Sequence, residues 1–430
     1  MKKILCVLLT VLLCLFTACQ LTPDDEAVVN KGDKKAENAV LNPSTEEIEP
    51  LVCPERWTET VEIHEAMSLV IDAPVEVGEG DRHPVYTITR KVVDGDFLIQ
   101  VMQEIFPDTV VLRQETMSYD EILEELQRYE KILSADDRYM ISLREKLAET
   151  PVESTFLELK ADNLSSEENN FHGATQRLDG SLAFYSAYNG EGKNSIWYHI
   201  GRECAIEKEN WIMQVQQEER EPIQEIEVSV SQEEAEKMAE AVLRQMGQSN
   251  IQLSNAMHAR CKNVGQVIST GWMLEYGRAT EGTHGCYLRY DQNPLFSTGE
   301  EMYAMPWIPE YFEIYVSENG VESVSWANMY DIVSVANEDV QLLSFEEMQE
   351  RVRTLFRQGL LWTKGRNTGN SEVYITKIIL TTGIMQIADN LEEALLVPAW
   401  AIFYTTDGDI KDYSDQSLLI LNALDGSSMN

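Results

Sequence analysis

Ser231-Gln232-Glu233-Glu234 opens a stretch that ends at Gly247, and its pattern recurs from Ser344-Phe345-Glu346-Glu347 to Gly359. Serine with glutamate at the third position after it is a capping box, in which each side chain satisfies the other residue's backbone N–H. Ala235, Met238, Val242 and Met246 fall on one helical face of the first stretch. Met348, Val352, Leu355 and Phe356 do so in the second. A glycine stops each helix. Strand-like runs follow the first at Ala256 to Cys261, Trp272 to Gly277, Tyr311 to Val316 and Val321 to Trp326. They follow the second at Val373 to Leu380, Leu396 to Tyr404 and Leu418 to Asn422. Asn319-Gly320 and Asp425-Gly426 supply hairpin turns, because both central residues of such a turn need positive φ. The reading is an α+β fold with a duplicated helix-plus-strands unit, residues 228–330 and 331–430, each a helix on a small antiparallel sheet.

Upstream, residues 53–217 read as an N-terminal α+β domain. Short strands are expected at Thr60 to His64, at Leu69 to Ile71 and Val75 to Val77 on either side of Pro74, and at Val85 to Thr89. Asp96 is placed to cap a helix from Phe97 to Phe106, which Pro107 ends. Ser118-Tyr119-Asp120-Glu121 is another capping box, and a further helix runs to Glu149 before Pro151. The β pattern then returns at Phe156 to Leu159, Leu182 to Tyr188, Ser195 to Ile200 and Trp211 to Val215. The acids from Glu218 to Glu227 mark the boundary with the C-terminal half.

The chain begins with Lys2-Lys3, an apolar run from Ile4 to Phe16, and Thr17-Ala18-Cys19. A basic start, a short apolar core and small residues make an export signal, too short to span a bilayer stably. The Leu15-Phe16-Thr17-Ala18-Cys19 ending resembles the bacterial lipobox, with Phe16 where leucine is usual. The resemblance implies cleavage of residues 1–18 and a diacylglycerol on Cys19, enough for stable anchoring at the outer face of the cell membrane. Residues 19–52, rich in charge, Asn and Pro, read as a disordered acidic tether.

Of the 430 residues, 73 are acidic and 34 basic, for a net charge of −39. Such a field repels nucleic acid and anionic lipid surfaces, so the anchor rather than a basic patch must hold the chain at a membrane. Asp407-Gly408-Asp409 with Asp412 and Asp415 lacks the spacing of a calcium loop. Cys53, Cys204, Cys261 and Cys286 show no CxxC pair. An exported chain permits disulfides, and Cys261 with Cys286, in one expected unit, is the first pair to consider. The alternative is four small buried thiols.

No motif calls for a cofactor, metal or catalytic residue. GxSxG and SxxK are absent, His64-Glu65 lacks a second histidine at zincin spacing, and Gly190-Glu191-Gly192-Lys193 reads as a strand-to-strand turn. Paired acids carry no information in so acidic a chain. The one ligand-binding candidate is Met302 to Tyr311, where Pro306 and Pro309 stiffen a loop bearing Tyr303, Trp307 and Tyr311. Those rings could stack on a sugar or grip a peptide. The competing reading makes Trp307 a plug at the end of its own sheet.

On Cys19-Gln20-Leu21-Thr22-Pro23 and on Leu396-Val397-Pro398-Ala399-Trp400 before Ile420 to Gly426, the chain resembles an uncharacterised family of lipoproteins of clostridial-type Gram-positive bacteria. Trp326 followed by Leu342-Leu343-Ser344-Phe345-Glu346-Glu347 is similar to the joined units of PepSY-type and two-component accessory surface proteins. These resemblances imply a non-enzymatic protein-binding or regulatory module and bring no catalytic residues. A binding protein for a sugar, peptide or wall fragment comes second, and a wall hydrolase third.

Overall fold

The chain is α+β, with more strand than helix. The computed structural model describes residues 40, 48–64, 67–107, 109–130, 134, 137–160, 170–176, 182–190, 193–200, 205–208, 226–263, 266–288, 296–298, 301–303, 307–358, 372–387, 390, 392–405 and 417–429. Its first elements are β1 (Arg56–His64), β2 (Met67–Glu76), β3 (Val85–Arg90), α1 (Gly95–Ile105), β4 (Val110–Thr116), α2 (Tyr119–Tyr129) and α3 (Arg138–Glu149). Then come β5 (Thr155–Glu158), β6 (Asn170–Gln176), β7 (Leu182–Gly190), β8 (Lys193–Ile200), β9 (Ala205–Lys208) and α4 (Gln232–Gln245). β10 (Ile251–Asn263), β11 (Gln266–Arg278), β12 (Phe296–Thr298), β13 (Glu301–Tyr303), β14 (Tyr311–Ser317), β15 (Gly320–Ala327) and β16 (Tyr330–Asn337) follow. The chain closes with α5 (Phe345–Arg357), β17 (Glu372–Gln386), β18 (Glu393–Thr405) and β19 (Ser417–Asn422).

Local chemistry sets the helix starts. Ser118, Ser231 and Ser344 each accept from the N–H of the glutamate that follows, and each glutamate carboxylate returns to the serine N–H. α1 is capped by Asp94, whose carboxylate accepts from Phe97 N at 2.8 Å, rather than by Asp96, which lies within its first turn. Gly247 ends α4 at φ 70°, and Gly320 turns β14 into β15 at φ 100°.

The sheets cut across the expected segments. One has ten strands in the order β5-β4-β6-β7-β8-β15-β14-β11-β10-β9, joining residues of 110–208 to residues of 251–327. The other runs β1-β2-β17-β18-β3-β16, with β19 also paired to β18, joining 56–90 to 330–422. Neither 53–217, 228–330 nor 331–430 is therefore a separate sheet. The physical reason is that a strand's free edge is satisfied by whichever strand reaches it. β2 runs parallel to β17, a pairing with no local signature. Nor is all of the expected tether free: Val40 is fully buried, and Leu51 packs with it on the core of the seven-stranded sheet.

Two prolines sit where no N–H is needed. Pro74 lies inside a continuous β2, where the ladder to β17 skips between Ile375 and Ile378. Pro398 lies in β18 between residues 393–396, which pair with β3, and 399–404, which pair with β19.

Phe345, Met348, Val352, Leu355 and Phe356 of α5 share one core with Trp57, Ile375, Leu380 and Trp400. Leu98 and Met102 of α1 and Ala235, Ala239 and Val242 of α4 share another with Tyr185, Tyr198, Leu274, Phe312 and Trp326. The segment after β11 links the sheets. Gly282 N donates to Glu79 O at 2.8 Å and His284 N to Leu380 O at 2.8 Å. Gly78 lies against this segment so closely that an added Cβ would stand 2.1 Å from Thr283 O. Gly78→Ala is expected to cost about 1–3 kcal/mol, the usual range for overpacking, in urea unfolding. A cost near zero would show that the linking segment yields freely.

Candidate binding face of the ten-stranded sheet

Alternation decides what this sheet shows on each side. Phe171, Tyr185, Ala187, Ile196, Tyr198, Leu274, Tyr276, Phe312, Ile314 and Val316 face α1 and α4. Their neighbours must point to the opposite side. There the register sets His172 of β6 beside Ser186 of β7, Ser186 beside Trp197 of β8, and Trp197 beside Ser325 of β15. Phe184 stands beside His199, and His199 beside Ser323.

The rings form a file. Trp197 and His199 lie 4.3 Å apart at 32°, and Phe184 and His199 lie 6.3 Å apart. His172 Nδ1 is 2.9 Å from Ser186 Oγ. His199 is 4% exposed, and its buried Nδ1 has no hydrogen-bond partner. Burial pushes its pKa down to about 4, so the ring is neutral at ordinary pH. Trp197, Phe184 and Ser186 are half-buried, and Tyr188 is exposed.

Further along the same face lies a charged cluster. Lys208 Nζ is 2.5 Å from Glu275 Oε1 and 2.7 Å from Glu313 Oε1. Glu275 and Glu313 are register partners on β11 and β14. Asn255 donates to Glu275 at 3.3 Å, and the Tyr287 hydroxyl to Glu313 at 2.6 Å. Burial raises the Glu275 carboxyl above its ordinary value despite Lys208. Burial works to lower the Lys208 ammonium, but Glu313 and Glu275 overcome it and hold it above its ordinary value. The arrangement stores one ammonium between two carboxylates.

The aromatic residues singled out in the sequence separate. Trp307 is 7% exposed and packs with Ile88, Tyr330, Ala394 and Leu396 of the seven-stranded sheet, under the Arg90 guanidinium at 4.8 Å. Tyr311 belongs to the ten-stranded sheet, edge-on to Tyr287 at 5.3 Å. Tyr303 lies on β13, and its side chain is outside the described residues. Trp307 and Tyr311 thus form no shared platform. Sequence reasoning missed the Phe184–Trp197–His199 file, though Ile196-Trp197-Tyr198-His199 carries the alternating ring pattern that announces it.

Cys261 and Cys286 do not pair. Cys286 is a free thiol, whereas Cys261 is disulfide-bonded. Cys261 lies with Met257, Ala259 and Met273 on the ten-stranded sheet, whereas Cys286 packs with Ile379, Ala399 and Ile420 of the other. Burial pushes the Cys286 thiol up to about 12. Cys286 is therefore expected to resist iodoacetamide in the native chain and react only after unfolding. Fast native labelling, read by peptide mass spectrometry, would contradict its burial.

Residues 1–18 and Cys19 lie outside the described residues, as do Trp211 to Val215 and the acids from Glu218 to Glu225. No described helix is long and apolar enough to cross a membrane. No group of three or more His, Cys, Asp or Glu among the described residues could hold a metal ion.

No family model matches the chain, and no curated protein matches it. A crystal structure of an uncharacterized protein from Eubacterium rectale ATCC 33656 aligns with 93% of this chain and 99% of its own, at 12% identity and a TM-score of 0.49.

Proposed function

We propose that this is a lipid-anchored extracytoplasmic protein that binds a partner protein at the face of its ten-stranded sheet turned from α1 and α4. The file of rings on β7 and β8 carries the reading. Half-buried aromatic side chains give large contact area at little cost in rotamer freedom, which suits recognition. The anchor rests on the signal ending at Cys19 and would hold this face near the membrane.

Repetition supports a modular origin. α1 with β4, β6, β7 and β8, and α4 with β10, β11, β14 and β15, are each a helix followed by a four-strand antiparallel meander. The two meanders meet at their fourth strands, β8 and β15. α5 with β17, β18 and β19 follows the same order, and a bridge from Leu421 to Ser428 after the Gly426 turn stands where a fourth strand would begin. We read these as copies of one unit, with its helix laid on its sheet.

The test is photo-crosslinking in intact cells from a probe at Tyr188. A crosslink to a membrane or wall protein, lost in Trp197→Ala while the melting temperature holds, is the expected result. No crosslink to such a protein, or one indifferent to Trp197, would overturn the reading. The unpartnered Nδ1 of His199 favours a second reading, a small ligand that hydrogen-bonds there while stacking on Trp197. A ligand at 100 times its dissociation constant stabilises by about 2.7 kcal/mol, so a saturable thermal shift with a sugar or wall fragment would select it.

A further inference from the structure

The outer edge of β16 is the least defended strand edge in the described residues. β5 and β9, which end the ten-stranded sheet, are four residues each. β1, at the far edge of the seven-stranded sheet, carries Arg56, Glu59 and Glu62 along its length. β19 is bridged beyond Leu421 by Ser428. Short strands, charges and covering segments are the usual protections of a sheet edge. β16 is not short and no described strand covers its outer edge; its one charge, Asp331, is paired with Lys91 at 2.8 Å, and it is bulged against β3 around Val333 and Ala336. It spans eight residues, pairs with β3 alone among the described strands, and reads Tyr-Asp-Ile-Val-Ser-Val-Ala-Asn. Ile332, Val333 and Val335 are 45%, 53% and 53% exposed. Three large apolar side chains within four residues, beside backbone groups that no described strand takes up, form a patch that a monomer would be expected to hide.

The surroundings select the occupant. Glu338 and Asp339 follow the apolar stretch, Asp339 accepting from His83 N at 2.9 Å, and Asp331 before it is paired with Lys91 at 2.8 Å; the chain as a whole carries −39. A second copy would bring the same acids against them. An extended segment with lysine or arginine between β-branched residues meets both the charge and the apolar row. We infer that β16 accepts such a basic strand from a partner protein, added edge-on to the sheet through backbone hydrogen bonds. This deepens the partner-protein reading but rests on a different surface, because β16 belongs to the seven-stranded sheet and Trp197 to the other.

Hydrogen exchange on the full chain in mild detergent tests it, with a short peptide alternating valine and lysine and a control in which glutamate replaces lysine. The lysine peptide is expected to slow exchange of amides in residues 331–336 by about tenfold or more, and the glutamate peptide to leave them unchanged. Val333 has no register partner on β3, which resumes at Ser334. Val333→Pro is therefore expected to keep the fold and abolish protection. Val335→Lys, which adds a like charge without touching the backbone, is expected to weaken it at least fivefold, while Trp197→Ala leaves it intact. Protection by neither peptide, or by both equally, would overturn the inference. A dimer protecting the same amides without peptide would overturn it in favour of a second copy. No crosslink from Tyr188, or one indifferent to Trp197, with β16 protection by the lysine peptide intact would mark failure of the earlier reading alone; a Trp197-dependent crosslink without that protection would mark failure here alone.

Discussion

Lys208→Met is expected to destabilise the folded chain by about 3–5 kcal/mol near neutral pH, the range for removing one partner of a buried ion pair. The side chains of Lys208 and Glu275 are 9% and 8% exposed, and that of Glu313 is 17% exposed. Methionine fills similar volume but leaves two carboxylates on adjacent strands without the ammonium between them. The pH dependence separates this account from a simple packing loss. A carboxyl raised above its ordinary value, as Glu275 is, adds stability while protonated and loses that contribution as pH rises through its folded value. Without Lys208 that folded value climbs further, so the deficit of the variant is smallest in acid and grows toward neutrality. Lys208 has the opposite reach. Its raised pKa contributes stability throughout the range below its ordinary value and gives it up in strong alkali. The native chain should therefore weaken in alkali by a term that Lys208→Met lacks. Urea unfolding across pH reads both effects. Adding Glu275→Gln to the variant should restore part of the loss at neutral pH. A deficit below about 1 kcal/mol, or one that does not change with pH, would mean that water already solvates these acids.

What could be read in the sequence follows the range of the chemistry. The capping boxes at Ser118, Ser231 and Ser344 involve neighbours in sequence and form as expected; the chain also turns at Gly320 and Gly426, but with positive φ at the glycine alone and not at Asn319 or Asp425. Most strands also stand where alternation placed them. Partners were not legible, because β2 beside β17 and β3 beside β18 depend on which edges meet in space. The Cys261–Cys286 pairing failed for that reason: Cys261 lies on β10 of the ten-stranded sheet, while Cys286, in the segment after β11, packs against the other sheet. The charged cluster was hidden among 73 acids. A finer signal existed, since Glu275 stands between Leu274 and Tyr276, and Glu313 between Phe312 and Ile314. An acid inside an apolar strand needs a partner, though the sequence does not say that it is Lys208. Trp307 shows the same limit: its burial could be anticipated, but not which sheet it would close.

Trp326→Ala should be the most costly single truncation in the core beneath α1, at about 3–5 kcal/mol for the cavity alone. The indole is 2% exposed, stacked on Phe312 at 5.2 Å and met edge-on by Phe97 of α1 at 5.7 Å. It stands on β15 opposite Ile196 of β8, where the two meanders join. Removing it thus opens a void at the seam rather than at a margin that can collapse. Its Nε1 also donates to Glu310 Oε1 at 2.8 Å, while Arg278 Nε holds the other carboxylate oxygen at 2.6 Å and Gln248 receives Arg278 Nη2 at 3.0 Å. The Glu310 side chain is 1% exposed, so the lost donor is not replaced by bulk water. Trp326→Phe separates the two contributions. It keeps a ring against Phe312 and removes the N–H, so it should cost about 1–3 kcal/mol for the carboxylate left short of a donor. Denaturant unfolding, followed by circular dichroism, measures both variants. If phenylalanine costs as much as alanine, the hydrogen bond to Glu310 governs the seam. If phenylalanine costs nothing, Arg278 alone satisfies the carboxylate, and the meanders are held together by ring packing.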